Sequence, residues 1–413
     1  MKHGSPYGIH RVLEPQGVLP QGAWKLDNRM EIWDNEILIQ VSALNIDAAS
    51  FTQIKTQAEG DLAKIEVAVR SIVAQRGKHH NPVTGSGGML IGTVLQIGPA
   101  LQARNESLPV IASNPPVIAN EVKQSMQPLP VIANEVKQSM TCGLHGLPRC
   151  ARSDESTAHG PFAASATQQE TRSNLQVGDK IATLVSLSLT PLRIDAIRAI
   201  HLERDQIEIE GQAILFETGL YAKLPTDIAE NLALAVLDVA GAAAQTARLV
   251  KPGNSVVVIG AGGKSGTLCV YQARKSAGPS GCVIGVSPFE KDCQRMRDLG
   301  WVNHVLQVDA RNALALMEAV SAVTQGQLAD VVINCVNVQD TEMGSILATR
   351  EGGRIYFFSM ATSFTAAALG AEGVGKDVEM IVGNGYAKGH AELSLDLLRE
   401  SPRLRQLFEE LYV

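Results

Sequence analysis

The stretch Ser255-Val256-Val257-Val258-Ile259-Gly260-Ala261-Gly262-Gly263-Lys264-Ser265-Gly266 decides the fold. A β-branched run breaks into glycines. A helical stretch from Thr267 to Lys275 follows, and then a second apolar run, Cys282-Val283-Ile284-Gly285-Val286. Strand, tight turn, helix and strand in that order make a dinucleotide-binding unit. The glycines let the backbone approach a pyrophosphate, and the helix N-terminus meets it with free N–H groups and a partial positive charge. A glycine pattern alone is weak evidence, but here both flanking elements are present. Gly260, Gly262, Gly263, Lys264, Ser265 and Gly266 are therefore expected to bind the cofactor, with Lys264 adding charge. The GxxxxGK[ST] order of nucleotide-hydrolysing loops is missing.

The acid that holds the ribose hydroxyls of NAD is expected about 20 residues beyond the last glycine. That place reads Ser287-Pro288-Phe289-Glu290-Lys291. Glu290 is one substitute, from the next turn. The alternative is that Ser287 and Lys291 accept the 2′-phosphate of NADP.

The chain has 413 residues, 45% hydrophobic and 19% charged, with a net charge of -6. That balance argues against a nucleic-acid binder, which carries a basic face. No apolar run reaches the length of a membrane span, and the N-terminal residues lack the apolar core of a signal peptide. The six cysteines form no CxxC pair. Cys269, Cys282, Cys293 and Cys335 fall in or beside core elements and are expected as buried free thiols. Together these features predict a cytoplasmic protein.

Outside the glycine unit, residues 36–41 and 89–97 read as strands and residues 60–76 as an amphipathic helix. Then the character changes. Pro116 to Met126 recurs letter for letter as Pro130 to Met140, and a partial copy begins at Leu108. Solenoid repeats drift over many units; two identical copies that stop resemble a repetitive element read in frame. With the Ser/Thr/Ala/Gln-rich stretch that follows, residues 105–173 read as a disordered insertion in a surface loop. Across it, the segments from Gly92 and from Leu175 rejoin as neighbouring strands of a small barrel. Strands follow around 207–216 and a helix over 229–250. From Pro252 strands alternate with helices, near 255–259, 282–286, 304–308, 330–335 and 353–358, which predicts a doubly wound parallel sheet. Helical stretches at 391–400 and 403–412 close the chain. The expected fold is α/β, with a β-rich catalytic domain over 1–228, a Rossmann domain over 229–385 and a helical segment over 386–413.

This order resembles the medium-chain dehydrogenase/reductase superfamily. Gly92-x-Val94-x-x-Ile97-Gly98 and Val177-Gly178-Asp179-Lys180-Ile181 are similar to its GroES-like barrel signature. Asp330-Val331-Val332-Ile333-Asn334 and Gly352-Gly353-Arg354-Ile355 are similar to its late Rossmann strands. The zinc-dependent members place a cysteine near Asn45-Ile46-Asp47 and a Gly-His-Glu string before the barrel strand. Here the second reads Gly87-Gly88-Met89, so no thiolate or imidazole stands there for a zinc ion, and none is expected. A narrower group is closer still, the L-erythro-3,5-diaminohexanoate dehydrogenases of bacterial lysine fermentation. The resemblance rests on Gly8-Ile9-His10-Arg11-Val12, Glu14-Pro15-x-Gly17-Val18-Leu19-Pro20-Gln21, Ala23-Trp24-Lys25-Leu26-Asp27-Asn28, and Ala43-Leu44-Asn45-Ile46-Asp47-Ala48-Ala49-Ser50-Phe51. It implies NAD-linked oxidative deamination at C3 of a diamino acid, giving 5-amino-3-oxohexanoate and ammonia. It also implies a homo-oligomer.

Such a reaction needs a base, because the C3 ammonium must lose a proton before a hydride can leave. The substrate carries two amines and one carboxylate, which call for acids and a cation in its pocket. Asp47 is the first candidate base; its plainer reading is a helix N-cap. Arg11 is a candidate for the substrate carboxylate, Glu14 for the distal ammonium, and His10 lies beside them. Tyr386 and Lys388, in a glycine-rich loop with His390, are candidate proton carriers. Asp238 and Glu217 are weaker candidates. Two other readings stay open on residues alone: a zinc-free enone or quinone reductase, and a non-catalytic dinucleotide-binding protein.

Overall fold

The computed structural model describes residues 2–83, 85, 87–106, 175–359, 361–383 and 385–413. The chain divides into two compact units, Met1–Leu101 with Gln176–Val413, and Gln102–Leu175. The expected insertion, apart from residues 105 and 106, lies outside the described residues. So do Cys142 and Cys150.

The first unit opens with a short two-stranded sheet, β1 (Val12–Glu14) and β2 (Lys25–Leu26). Then comes β3 (Glu36–Asn45), followed by α1 (Ala48–Gln57) and α2 (Leu62–Arg76). Asp61 caps α2 by accepting from the N–H groups of Ala63 and Lys64, and Gly77 ends it in the left-handed region. Next are β4 (Met89–Ile97), α3 (Pro99–Glu106), β5 (Lys180–Thr183), β6 (Leu192–His201), β7 (Gln206–Phe216) and β8 (Tyr221–Lys223). Six of these strands form one antiparallel sheet in the order β6-β7-β3-β4-β5-β8. The strands on either side of residues 107–174 are neighbours, with Ile91 opposite Ala182 and Thr93 opposite Lys180. Strand β6 was not anticipated; only Leu192 in it is buried, so its pattern is faint.

The single helix expected over 229–250 is two, α4 (Glu230–Leu237) and α5 (Ala240–Leu249), bent by 51° at their junction. Gly241 explains how α5 starts where it does. A Cβ there would stand 2.3 Å from the Gly385 carbonyl oxygen, so only glycine lets the two backbones meet. The pair is apolar because it is core, with Leu232 to Leu237 all buried. No single described helix is long and apolar enough to cross a membrane.

The rest alternates: β9 (Ser255–Ile259), α6 (Lys264–Ala277), β10 (Cys282–Ser287), α7 (Glu290–Leu299), β11 (His304–Gln307), α8 (Ala313–Val323), β12 (Ala329–Asn334), α9 (Glu342–Ala348), β13 (Thr349–Phe357), α10 (Phe364–Gly373) and β14 (Val378–Val382). These strands form a parallel sheet in the order β11-β10-β9-β12-β13-β14. The order reverses between β9 and β12, and ligands of open parallel sheets bind at such a point. Residues 256–259 of β9 are all buried, since helices cover both faces; each such side chain contributes about 1.5–3 kcal/mol by burial. Strand β14, also unanticipated, is an edge strand whose residues are all partly or fully exposed. Finally α11 (His390–Glu400) and α12 (Pro402–Tyr412) lay Leu397, Leu404 and Phe408 into one cluster with Leu232 and Val236 of α4. This is a GroES-like antiparallel sheet joined to a doubly wound Rossmann sheet, as the sequence implied.

Candidate active site

The glycine turn forms as expected. Gly260 takes φ +79°, and a Cβ there would stand 2.6 Å from Val336 Cγ1. A Cβ on Gly266 would stand 2.0 Å from the Gly260 carbonyl oxygen, so α6 approaches β9 only without a side chain. No side chain caps α6 at Gly263, which leaves its first-turn N–H groups to an anionic ligand. Beyond the turn lies a crevice of about 410 Å³ lined by Gly260, Gly263, Ser287, Asp292, Arg311 and Cys335 among others. This cradle fits a dinucleotide.

Three of the expected side chains, Lys264, Glu290 and Ser287, are engaged with partners inside the protein. Lys264 Nζ pairs with Asp238 Oδ2 at 3.0 Å, so its ammonium is turned to a carboxylate and its backbone N–H remains for phosphate. Glu290 is exposed and pairs with Arg297 at 2.9 Å. Ser287 is buried and donates to Asp292 Oδ2 at 2.9 Å, while Lys291 is exposed. Asp292, like Asp309, lines the crevice. Asp292 sits in the first turn of α7, five residues past Ser287, and no spacing rule points to it. Arg295 Nη2 donates to its other oxygen at 2.8 Å.

A second group of charges gathers where the end of β3, the β6–β7 turn and the start of α6 meet. Asp47 stands at the N-cap position of α1. Its Oδ2 accepts from the Gly87 N–H at 2.9 Å. The Gly87 carbonyl accepts from His79 Nδ1 at 3.2 Å, so a buried imidazole fixes the backbone that fixes Asp47. Gly88 follows at φ +104°, where a Cβ would stand 2.1 Å from the Asn45 carbonyl oxygen. Asp205, missed in the sequence, accepts from the Ile46 N–H through its carbonyl at 2.9 Å. Burial raises its carboxyl pKa, and the charges of Lys264 and Lys55 pull the other way.

Burial lowers the pKa of His79 from 6.5 to about 4, and its Nε2 has no hydrogen-bond partner among the described residues. Above pH 6.5 the imidazole is neutral folded and unfolded, and its contribution to stability is whole. As pH falls from 6.5 towards 4, the unfolded chain takes up a proton that the folded one refuses, and about 3 kcal/mol is lost. A His79→Gln variant is expected to lose less stability over that window in urea titrations; equal losses would contradict the burial argument.

The N-terminal candidates have a structural place instead. Arg11 is buried, with Nε and Nη2 on the Glu36 carboxylate at 2.9 and 2.6 Å. Its remaining bonds go to the carbonyls of Arg29 and Glu31. His10 Nε2 meets the same carboxylate at 2.7 Å and its ring lies 4.4 Å from that of Trp33. Burial would raise the Glu36 carboxyl, but bonds from His10, Arg11 and the Trp33 N–H outweigh it and hold the pKa down. An arginine so engaged has no fork left for a substrate carboxylate. Glu14 is exposed at the end of β1. Glu217 accepts from buried Asn35 at 2.9 Å, also within this N-terminal packing. Tyr386 stacks edge-on against His390, with ring centroids 5.2 Å apart. Lys388 is exposed, and its carbonyl accepts from Arg248 at 3.2 Å.

Among the described residues no three His, Cys, Asp or Glu side chains gather as metal ligands. Parallel sheet, glycine cradle and GroES-like sheet define an NAD(P)-dependent oxidoreductase of medium-chain dehydrogenase/reductase architecture. Residues 266–374 match the sequence model described as "Zinc-binding dehydrogenase". Residues 10–138 and 157–225 match that of the "L-erythro-3,5-diaminohexanoate dehydrogenase N-terminal domain". A protein of Acetoanaerobium sticklandii described as L-erythro-3,5-diaminohexanoate dehydrogenase is 49% identical over 410 residues, 99% of each chain. One of Fusobacterium nucleatum subsp. nucleatum with the same description is 48% identical over 413 residues, all of both chains. The chain belongs to the L-erythro-3,5-diaminohexanoate dehydrogenase family. Among solved structures, an alcohol dehydrogenase of Thermus sp. ATN1 is 15% identical, covering 91% of this chain and 85% of that one, with a TM-score of 0.46.

Proposed function

We infer that this chain oxidatively deaminates L-erythro-3,5-diaminohexanoate at C3, giving 5-amino-3-oxohexanoate and ammonia in lysine fermentation. The observation that carries this reading is identity of 48–49% over essentially the whole length of relatives so described. A bound nicotinamide supplies the hydride acceptor. The chain's own task is to hold the diamino acid and move its protons. Asp47 takes the proton from the C3 ammonium, held for that by the Gly87 N–H. Asp205, Asp238 and Lys264 supply the charges that a zwitterionic diamino acid calls for. Tyr386 and Lys388 remain candidate proton carriers; their loop abuts α5 at Gly241, three residues past Asp238. An enone reductase would call for an apolar pocket, which this charged group does not make.

In this reading residues 1–228 are the catalytic domain, 229–385 bind the dinucleotide and 386–413 close the fold. The protein works in the cytoplasm as a homo-oligomer. The edge strand β14, with exposed Val382, offers a surface for self-pairing. The activity is tested by following absorbance at 340 nm beside ammonia release. One ammonia per reduced cofactor supports the inference; reduction without ammonia, or neither, counts against it.

Asp292 favours NAD, because a carboxylate beside the ribose repels a 2′-phosphate. Replacing it also frees Arg295 to meet that phosphate. Asp292→Asn is expected to shift the ratio of NAD to NADP affinity at least tenfold towards NADP. An unchanged ratio of dissociation constants would remove Asp292 from the ribose site.

A further inference from the structure

Two thiols meet beneath the dinucleotide crevice. Cys269 lies in the middle of α6 and is fully buried. Cys335 follows β12, is half-buried and lines the crevice. Their sulfurs are 3.7 Å apart. Neither has a role in the reaction derived above. The Ser265 hydroxyl, in the first turn of α6, also bonds Cys335. Among the described residues Cys293 lies in the same apolar cluster, but its thiol donates to the Ser287 carbonyl instead.

We propose that Cys269 and Cys335 are a dithiol oxidation site that closes to an intramolecular disulfide by exchange with a small disulfide, and that closure opposes dinucleotide binding. The exchange balances. Cys335, reached from the crevice, attacks one sulfur of the reagent and forms a mixed disulfide while one reagent thiol leaves. Cys269 then attacks the Cys335 sulfur and displaces the second reagent thiol. The two protein S–H bonds are lost and one S–S bond forms. Two electrons and two protons pass to the reagent, which leaves as two thiols.

The link to binding is steric. Bonding draws the sulfurs together by roughly an ångström and a half. Cys269 is embedded in a packed helix, so the movement falls on Cys335 and its neighbour Val336. The glycine turn has no slack there: a Cβ on Gly260 would already stand 2.6 Å from Val336 Cγ1. The intermediate also places the reagent's remnant among the cofactor's lining residues. The Cys269 thiol and burial hold Cys335 well above the ordinary thiol range. Thiolate is therefore scarce, and exchange is slow unless the reagent is in excess.

The test treats the full chain with excess 2-hydroxyethyl disulfide, with and without saturating NAD. Remaining thiols are then alkylated, peptides are mapped without reduction, and NADH affinity is measured by fluorescence. The expected product is a Cys269–Cys335 linked peptide whose formation NAD slows. The NADH dissociation constant rises at least tenfold and returns after dithiothreitol. Cys269→Ala is expected to bind NADH like the wild type and to stop at the mixed disulfide. Should that variant fail to fold, the wild-type peptide map still decides. A wild type that stays unlinked or stops at the mixed disulfide overturns the proposal, as does a linked protein with unchanged NADH affinity.

Discussion

Asp47→Asn is expected to lower kcat for diaminohexanoate oxidation by about 10²- to 10⁴-fold. The hydride cannot leave C3 while the nitrogen lone pair is held by a proton. An amide in place of the carboxylate keeps the size of the side chain and can still meet the Gly87 N–H through its oxygen. It cannot take the proton. NADH affinity should stay within twofold, because the glycine cradle lies on α6 and β9. Asp47→Glu is expected to recover part of kcat, with the carboxylate displaced by one methylene. Steady-state kinetics and fluorescence binding read both effects. Full activity in Asp47→Asn would remove the base and favour an enone reductase on the same fold.

Arg11→Met is expected to cost about 3–5 kcal/mol of folding stability, because it leaves the fully buried Glu36 carboxylate without its main partner. Adding Glu36→Gln should restore part of the loss, since the unpaired charge is then gone. Urea unfolding of the two single variants and the double variant measures the coupling. Substrate KM in protein kept folded should stay within about twofold of the wild type. A large rise in KM with little loss of stability would return Arg11 to the substrate pocket.

The core of the fold was readable because its strands obey simple rules. A parallel strand covered on both faces runs apolar without a break, and Val256 to Ile259 do so. Strands at an edge keep half their side chains in water. Leu192–His201 and Val378–Val382 carry no such run and were missed. The bend between α4 and α5 was hidden because both halves are helix-forming and apolar. Only the close approach of Gly241 to Gly385, 144 residues away in sequence, shows why it is there.

The site was readable to a lesser degree. Glycines that need positive φ or close approach stand where the turn requires them, so the cradle was visible. Charged residues are different, because their meaning depends on partners far off in the chain. Arg11 looks like an anion receptor until Glu36 is seen bonded to it. Lys264 looks like a phosphate ligand until Asp238 is. Asp292 and Asp205 carry no motif; Asp292 reaches back from the first turn of α7 to Ser287 at the end of β10, and the Asp205 carbonyl meets the Ile46 N–H from the β6–β7 turn.

The most direct measurement follows the hydrogen on C3. Substrate carrying deuterium at that carbon is incubated with the enzyme and oxidised cofactor, and the reduced cofactor is examined by mass spectrometry and NMR. Deamination at C3 by this chain predicts one deuterium at C4 of the nicotinamide ring for each ammonia released. Reduced cofactor without deuterium would place the chemistry at another carbon, and no reduction by folded, cofactor-binding protein would contradict the assignment altogether.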